Sequence, residues 1–259
     1  MIHPTAIIDP KAELASDVSV GPYSIIGPKV KIDSGTVIGA HVVISGDTQI
    51  GKNNRIYPFA SVGEAPQDKK YADEDTRLVI GDENRIRESV TIHRGTIQDQ
   101  GVTKIGSRNL FMAYVHVAHD CILGDDIVCA NTATLAGHVV IGNHVIISAF
   151  CALHQFVQVG AHAFISHAAM VTKDVPPYVM LVGNGGANLS VCGINSEGLK
   201  RRGFTVDQIE LLKKAYKIVY REGLRLVEAI EALKELELED SSVTLFRQFL
   251  QDSTRGIVR

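Results

Sequence analysis

Aliphatic residues recur at every sixth position over the first two-thirds of the chain. Starting from Ile2, the beat reads Ile2, Ile8, Leu14, Val20, Ile26, Ile32, Ile38, Ile44, Ile50, Ile56 and Val62 without a miss. Val, Ile and Leu account for 72 of 259 residues, so eleven consecutive hits arise by chance on the order of once in a million trials. The phase returns at Ile80, Ile86 and Ile92. It then shifts by one to Ile105, Phe111, Val117, Leu123, Cys129, Leu135, Ile141, Ile147, Leu153, Val159, Ile165 and Val171. Two insertions therefore interrupt one array.

Four residues after each aliphatic comes a small or branched one, as at Ala6, Val18, Thr36, Val42, Ala133 and Ala163. Gly often follows the aliphatic directly, as at Gly21, Gly39, Gly106, Gly124, Gly142 and Gly160, where a turn is expected to need a backbone without a Cβ. An amphipathic helix repeats near 3.6 and a half-buried strand at 2. Period six fits neither, but it fits a solenoid of short strands. Residues 18 apart then stack on successive coils, about 4.7–4.9 Å from one another.

The beat stops after Val175-Pro176-Pro177-Tyr178, and a stretch rich in Gly and Asn, 183–188, is expected to be irregular. Thr205 and Gln208 form a capping box ahead of Val206, Ile209, Leu212, Tyr216 and Val219 at helical spacing, ending at Gly223. Further helices are predicted near Leu226–Leu236 and Val243–Gln251. The reading is a β-solenoid over residues 1–190 and a small helical domain over 191–259.

With 45% apolar and 21% charged residues the chain is neither disordered nor low in complexity. A net charge of -3 gives no polybasic character, so nucleic acid is not an expected partner. Cys121, Cys129, Cys151 and Cys192 form no C-x-x-C pair and no disulfide framework, which points to a reducing compartment. The N-terminus has no leader pattern and no window nears 18 uninterrupted apolar residues, so a cytoplasmic protein without a membrane span is expected.

Ten histidines are many for this length, and most fall between His116 and His167. The 18-residue step aligns His119 with Gly137 and Gln155, and Asp120 with His138. A base, an uncrowded glycine amide, a side-chain amide and a carboxylate thus share one edge. The set suits acyl transfer to a hydroxyl: neutral imidazole takes the alcohol proton and the glycine amide donates to the developing oxyanion. The carboxylate orients the ring. No Ser or Cys aligns beside His119, which favours direct attack over a covalent intermediate. A histidine on a solenoid is also commonly a surface or turn residue. Zinc is the competing chemistry for His116 and His119, but three residues apart on a flat strand they are expected to face opposite ways.

Several runs carry a closer resemblance: Arg87-Glu88-Ser89-Val90-Thr91-Ile92-His93-Arg94-Gly95, His116-Val117-Ala118-His119-Asp120-Cys121, Leu135-Ala136-Gly137-His138, His154-Gln155-Phe156, Asp174-Val175-Pro176-Pro177-Tyr178, Glu197 to Phe204, and Ser253-Thr254-Arg255-Gly256. The hexapeptides resemble the bacterial hexapeptide-repeat transferases. The longer runs resemble the UDP-N-acetylglucosamine 3-O-acyltransferase family of lipid A biosynthesis over the whole length. The resemblance implies a left-handed parallel β-helix, a homotrimer with clefts between subunits, and transfer of an (R)-3-hydroxyacyl chain from acyl carrier protein to the sugar 3-hydroxyl.

By the same resemblance His119 is the general base, Gly137 the glycine that polarises the thioester carbonyl and Asp120 the support of the base. Asp68 and Lys70 match residues that contact sugar and acyl groups. His116, His138, His154 and Gln155 match cleft positions, and Asn195, Glu197, Arg201 and Arg202 match the nucleotide-binding group. No metal or other cofactor is implied. Between Lys200 and Arg225 eight basic residues face three acidic ones, a balance suited to an acidic carrier protein. Two departures stand out. The chain is about three residues longer between Tyr178 and Asn195 than the family pattern, and His167 occupies a position where the family can carry glycine at the end of the acyl groove. The imidazole is expected to shorten that groove, selecting an acyl chain below C14, in the range C10–C12. Other hexapeptide acyltransferases, transferring to an amine or from coenzyme A, and a non-catalytic solenoid are the alternatives at this point.

Overall fold

The computed structural model describes residues 1–183, 188–238 and 240–259. Residues 184–187, within the stretch expected to be irregular, lie outside the described residues. The six-residue beat folds as a left-handed parallel β-helix of three sheets, most of whose strands are two residues long. The first sheet runs from Ile7–Ile8 to Met170–Val171, the second from Glu13–Leu14 to Gln158–Val159, and the third from Ser19–Val20 to Leu189–Ile194. Each coil visits them in turn, which makes a three-edged prism: a first edge between sheets one and two, a second between two and three, and a third between three and one.

The period follows from the cross-section. Each face places one aliphatic inward from its strand, and the small or branched residue two positions before it also points in at the corner. Ile26, Ile44, Val62, Ile92, Val117, Leu135, Leu153 and Val171 stack in this way, with Val42, Ala60, Val90, Val115, Ala133, Cys151 and Ala169 beside them, all buried. Outward side chains are free to be polar, because a closed coil satisfies its backbone within the solenoid.

Register measures the two insertions. Ile44 pairs with Val62 at the ordinary step of 18, Val62 with Ile92 at 30, and Ile92 with Val117 at 25. The first insertion thus adds 12 residues and keeps the phase of six, whereas the second adds seven and shifts it by one. Both leave from the first edge, at 65–76 and 94–101.

The glycines have a different cause from the one expected. The left-handed corner residue lies two positions beyond them and is filled by Tyr23, His41, Arg108, Asp126, His144 or His162, with φ between 56° and 62°. Gly21 and Gly142 are not left-handed. A Cβ on Gly21 would stand 2.6 Å from the Gly39 backbone and one on Gly142 2.6 Å from Ala161 N. Close approach of the next coil, not turn geometry, excludes a side chain there.

A buried asparagine ladder braces the second edge. Asn84 Oδ1 accepts from Asn109 N (2.9 Å), its Nδ2 donates to Gly106 O (3.0 Å) and Asn54 Oδ1 (3.0 Å), and its N–H donates to Asn54 Oδ1 (2.9 Å). Asn84→Ala should lower unfolding stability by about 2 kcal/mol, since it strands the Asn109 amide and a Gly106 lone pair away from water. Denaturant unfolding checks this, and an unchanged midpoint counts against the ladder.

Helices α1 (Ser196–Arg201), α2 (Val206–Tyr220), α3 (Leu226–Glu237) and α4 (Ser241–Asp252) follow the last strand. The Thr205–Gln208 capping box forms as read from the sequence. The segment expected to be irregular is flanked by an antiparallel pair, Val179–Gly183 with Leu189–Ile194. The chain end returns to the solenoid: Ser253 Oγ donates to the buried Asp174 carboxylate (2.7 Å), and Ile257 bridges Asp174.

Candidate active site

The first edge gathers the expected chemistry because the register returns the same corner every 18 residues. Val117, Leu135, Leu153 and Val171 are aligned, so His119, Gly137 and Gln155 follow one another up this edge, with Asp120, His138 and Phe156 beside them. The latter three are left-handed. His138 stacks on Phe156 (centroids 4.4 Å apart) and meets His119 edge-on (5.1 Å).

His119 and Asp120 are buried at 6% and 2% exposure. Thr96, from the second insertion, donates to the Asp120 carboxylate through its N–H (2.9 and 3.1 Å) and its hydroxyl (2.6 Å), and the Asp120 N–H donates to Thr103 Oγ1 (2.8 Å). Burial pushes the Asp120 carboxyl up, but the hydrogen bonds from His119 and Thr96 outweigh it and hold the group below the usual carboxylate range. An ionised carboxylate only accepts. His119 Nδ1, 2.9 Å from Oδ2, is therefore the donor, and its Nε2 keeps the free lone pair. That face of the ring lies against Gly137: a Cβ there would stand 2.6 Å from Cε1 and 2.7 Å from Nε2. Among the described residues the Gly137 N–H donates to no protein acceptor.

His116 sits on the adjoining face of sheet one, where Nδ1 bonds Thr91 Oγ1 (2.7 Å), and the buried His93 meets it edge-on at 4.9 Å. Burial pushes His93 down to about 4 and is also the main cause that lowers His116. Both shifts favour the neutral ring. His138 Nδ1 lies 2.8 Å from Asp99 Oδ2 in the second insertion. His154 and Gln155 are exposed higher on the edge. Asp68 and Lys70 belong to the first insertion, where the Lys70 N–H donates to Asp68 Oδ1 (3.0 Å). Arg94 binds the two insertions together by donating to Tyr71 OH (3.0 Å). Thr96, Asp99 and His93 are the members of the site that the sequence reading did not single out. His93 and Thr96 lay within or beside a motif already noted, but only the folded insertion shows what they touch.

The remaining expected residues lie elsewhere on the prism. Asn195 caps α1 at the second edge, accepting from the Gly198 N–H (3.1 Å) and donating to His162 O (3.0 Å). Arg201 and Arg202 line a cavity of about 170 Å³ there with His144 and His162. Burial pushes His162 down to about 4, with His144 and Arg202 adding to the shift. Glu197 pairs with Lys200 on the exposed side of α1 (2.8 Å). His167 is exposed at the third edge.

For a metal, the structure groups His119, Asp120 and His138, whose ligand atoms lie within 4.8 Å of one another. The carboxylate oxygens there are already taken by His119 and by three contacts from Thr96, so an ion would have to displace those bonds. The strand argument separating His116 from His119 does not apply as expected: that strand ends at Val117, and His119 is already in the corner. Cys121 is no nucleophile, since full burial pushes its thiol up to about 12.

A protein-family profile described as Udp N-acetylglucosamine O-acyltransferase, Domain 2, matches residues 174–258. The acyl-[acyl-carrier-protein]–UDP-N-acetylglucosamine O-acyltransferases of Janthinobacterium sp. (strain Marseille) and Herminiimonas arsenicoxydans are 53% and 54% identical, each over 100% of this chain and 99% of their own length. The crystal structure of UDP-N-acetylglucosamine O-acyltransferase from Moraxella catarrhalis RH4 superposes with a TM-score of 0.97 at 48% identity, covering 100% of this chain and 99% of that one.

Proposed function

The chain belongs to the UDP-N-acetylglucosamine O-acyltransferase family and is an enzyme that transfers an acyl group from acyl carrier protein, and from that premise we propose that His119 is its general base in a direct transfer of a 3-hydroxyacyl chain to the sugar 3-hydroxyl. The reaction opens lipid A biosynthesis. The observation that carries the mechanism is the locked ring: Asp120 holds Nδ1 while Nε2 faces the Gly137 cradle.

His119 Nε2 takes the hydroxyl proton as the oxygen bonds to the thioester carbon. The Gly137 N–H, free of other acceptors, donates to the oxyanion that forms. Collapse breaks the carbon–sulfur bond, and the imidazolium returns its proton to the departing thiolate. Asp120 supports that imidazolium, and Thr96 keeps the carboxylate ionised. Asp68, Lys70, His116, His138, His154 and Gln155 line the cleft for sugar and acyl groups. Asn195, Glu197, Arg201 and Arg202 take the nucleotide, where the guanidinium forks suit a pyrophosphate.

The base and the nucleotide group sit on different edges of one chain, which favours a homotrimer whose clefts draw one edge from each of two copies. Tyr114 and Phe150, each 66% exposed on the third edge, are further apolar surface that contact with another copy would cover. Among the described residues no helix is long and apolar enough to cross a membrane, and we infer a cytoplasmic enzyme to which the carrier comes through the basic helical region.

His167 is the inferred end stop of the acyl groove. Mass-spectrometric analysis of products from UDP-N-acetylglucosamine and an equimolar set of C8 to C16 3-hydroxyacyl carrier proteins should give a C10–C12 ester, and His167→Gly should move it toward C14. Full C14 preference, unchanged by His167→Gly, sinks the stop. An acylated nucleotide sugar of any length supports the transferase.

A further inference from the structure

The register that aligns His119 with Gly137 and Gln155 continues by one more coil to Lys173, and the neighbouring column runs from Ala136 to His154 and Thr172. Lys173 is exposed at the top of the first edge. Beside it comes a second cation from far along the chain: Arg255 donates through Nη2 to Thr172 O (3.3 Å) and lies 3.3 Å from His154 Nδ1, which is also 3.1 Å from Gln155 O, and none of these groups is anionic. The tail that carries it is pinned to the solenoid. Ser253 Oγ donates to Asp174 Oδ2 (2.7 Å), the Gln158 N–H donates to Oδ1 (2.9 Å), and the Val258 N–H donates to Asp174 O (2.9 Å). The only carboxylate adjacent to Lys173 in sequence is therefore turned inward and occupied, leaving two cations on the edge.

Their distance from the chemistry is set by the coil spacing. Two steps of about 4.8 Å put the Lys173 level about 10 Å above Gly137. A carrier protein presents its acyl group on a pantetheine arm that ends in a phosphodiester. About thirteen bonds separate thioester sulfur from phosphorus, and at an extended rise of about 3.6 Å per three bonds the arm reaches about 16 Å. With the thioester carbonyl at Gly137, an arm lying along this edge reaches Lys173 and Arg255 with its phosphate without being fully extended.

We propose that Lys173 and Arg255 form a binding site for the phosphodiester of the donor's pantetheine arm. A guanidinium has five N–H donors in a fixed fork, so the Nη2 contacts to His154 and Thr172 orient Arg255 and leave donors for phosphate oxygens. Lys173 supplies the second charge. The site makes the C-terminal tail part of the donor channel, and it rests on the reading of acyl carrier protein as donor.

The test compares a 3-hydroxyacyl phosphopantetheine with its dephosphorylated pantetheine counterpart, taking kcat/KM for each in the intact enzyme. The wild type should prefer the phosphorylated donor by tenfold or more. The Lys173→Met/Arg255→Met double variant should lose that preference while keeping its rate with the dephosphorylated donor and its KM for UDP-N-acetylglucosamine. Arg255→Lys should retain part of the preference, and an unchanged thermal midpoint shows that the tail stays docked. Equal use of both donors by the wild type, or discrimination that survives in the double variant, overturns the site. A rise in KM for UDP-N-acetylglucosamine with donor discrimination intact means the cations serve the nucleotide pyrophosphate, which also overturns it. Failure of the wild type with carrier-bound acyl groups as well is a different result: it removes the donor reading and the site with it.

Discussion

His119→Ala should lower kcat by about 10³-fold, in the middle of the range for loss of a general base and equivalent to about 4 kcal/mol of transition-state stabilisation. The substituted protein should remain folded. Asp120 keeps its three contacts from Thr96 and its own N–H bond to Thr103 when the imidazole is gone, so the carboxylate is not stranded. KM for UDP-N-acetylglucosamine should change far less than kcat, because the nucleotide group sits on another edge. His119→Gln cannot rescue the rate, since an amide accepts no proton at neutral pH. Steady-state assays with product detection by mass decide the matter. A loss below tenfold with a normal unfolding midpoint would remove His119 from the base role, and with it the direct-attack mechanism.

The residues on the first edge were legible because period and register are the same quantity in a solenoid. Once six residues make a face, the alignment of His119 with Gly137 and Gln155 is arithmetic. The lengths of both insertions follow too, since 12 added residues keep the phase and seven shift it. What escaped the sequence is what depends on contacts across coils. Thr96 reaches Asp120 from 24 residues away through an insertion without periodicity, and nothing in its own neighbourhood announces the bond. The glycines were noticed for the wrong reason, because a turn signal and a close approach of neighbouring coils both select a missing Cβ. Helix α1 is six residues long and capped by Asn195, too short for a hydrophobic period. That the Asn195 group and His119 occupy separate edges emerges only when the helices are seen docked against the corner of His144 and His162.

Gly137→Ala should cost activity about 100-fold or more in kcat/KM while leaving the solenoid intact. Gly137 is not among the left-handed residues, so alanine meets no backbone penalty there. The obstacle is the His119 ring, with Cε1 at 2.6 Å and Nε2 at 2.7 Å from the added Cβ, both closer than real side chains approach. The ring must move, but its Nδ1 is bonded to Asp120, itself anchored by Thr96. Relief therefore means tilting Nε2 away from the place where the hydroxyl and carbonyl meet. Misplacement by about 1 Å is enough for a 100-fold loss when geometry supplies the rate. The methyl group also intrudes on the space beside the Gly137 amide where the oxyanion must lie. Gly142→Ala makes the contrast, since its Cβ would strike the Ala161 backbone nitrogen at 2.6 Å, which cannot swing aside, so that variant should lose thermal stability first. Parallel melting curves and kcat/KM values separate the two cases. If Gly137→Ala works within threefold of the wild type, the ring is free to yield, and the lock between Asp120 and His119 is not what sets the rate.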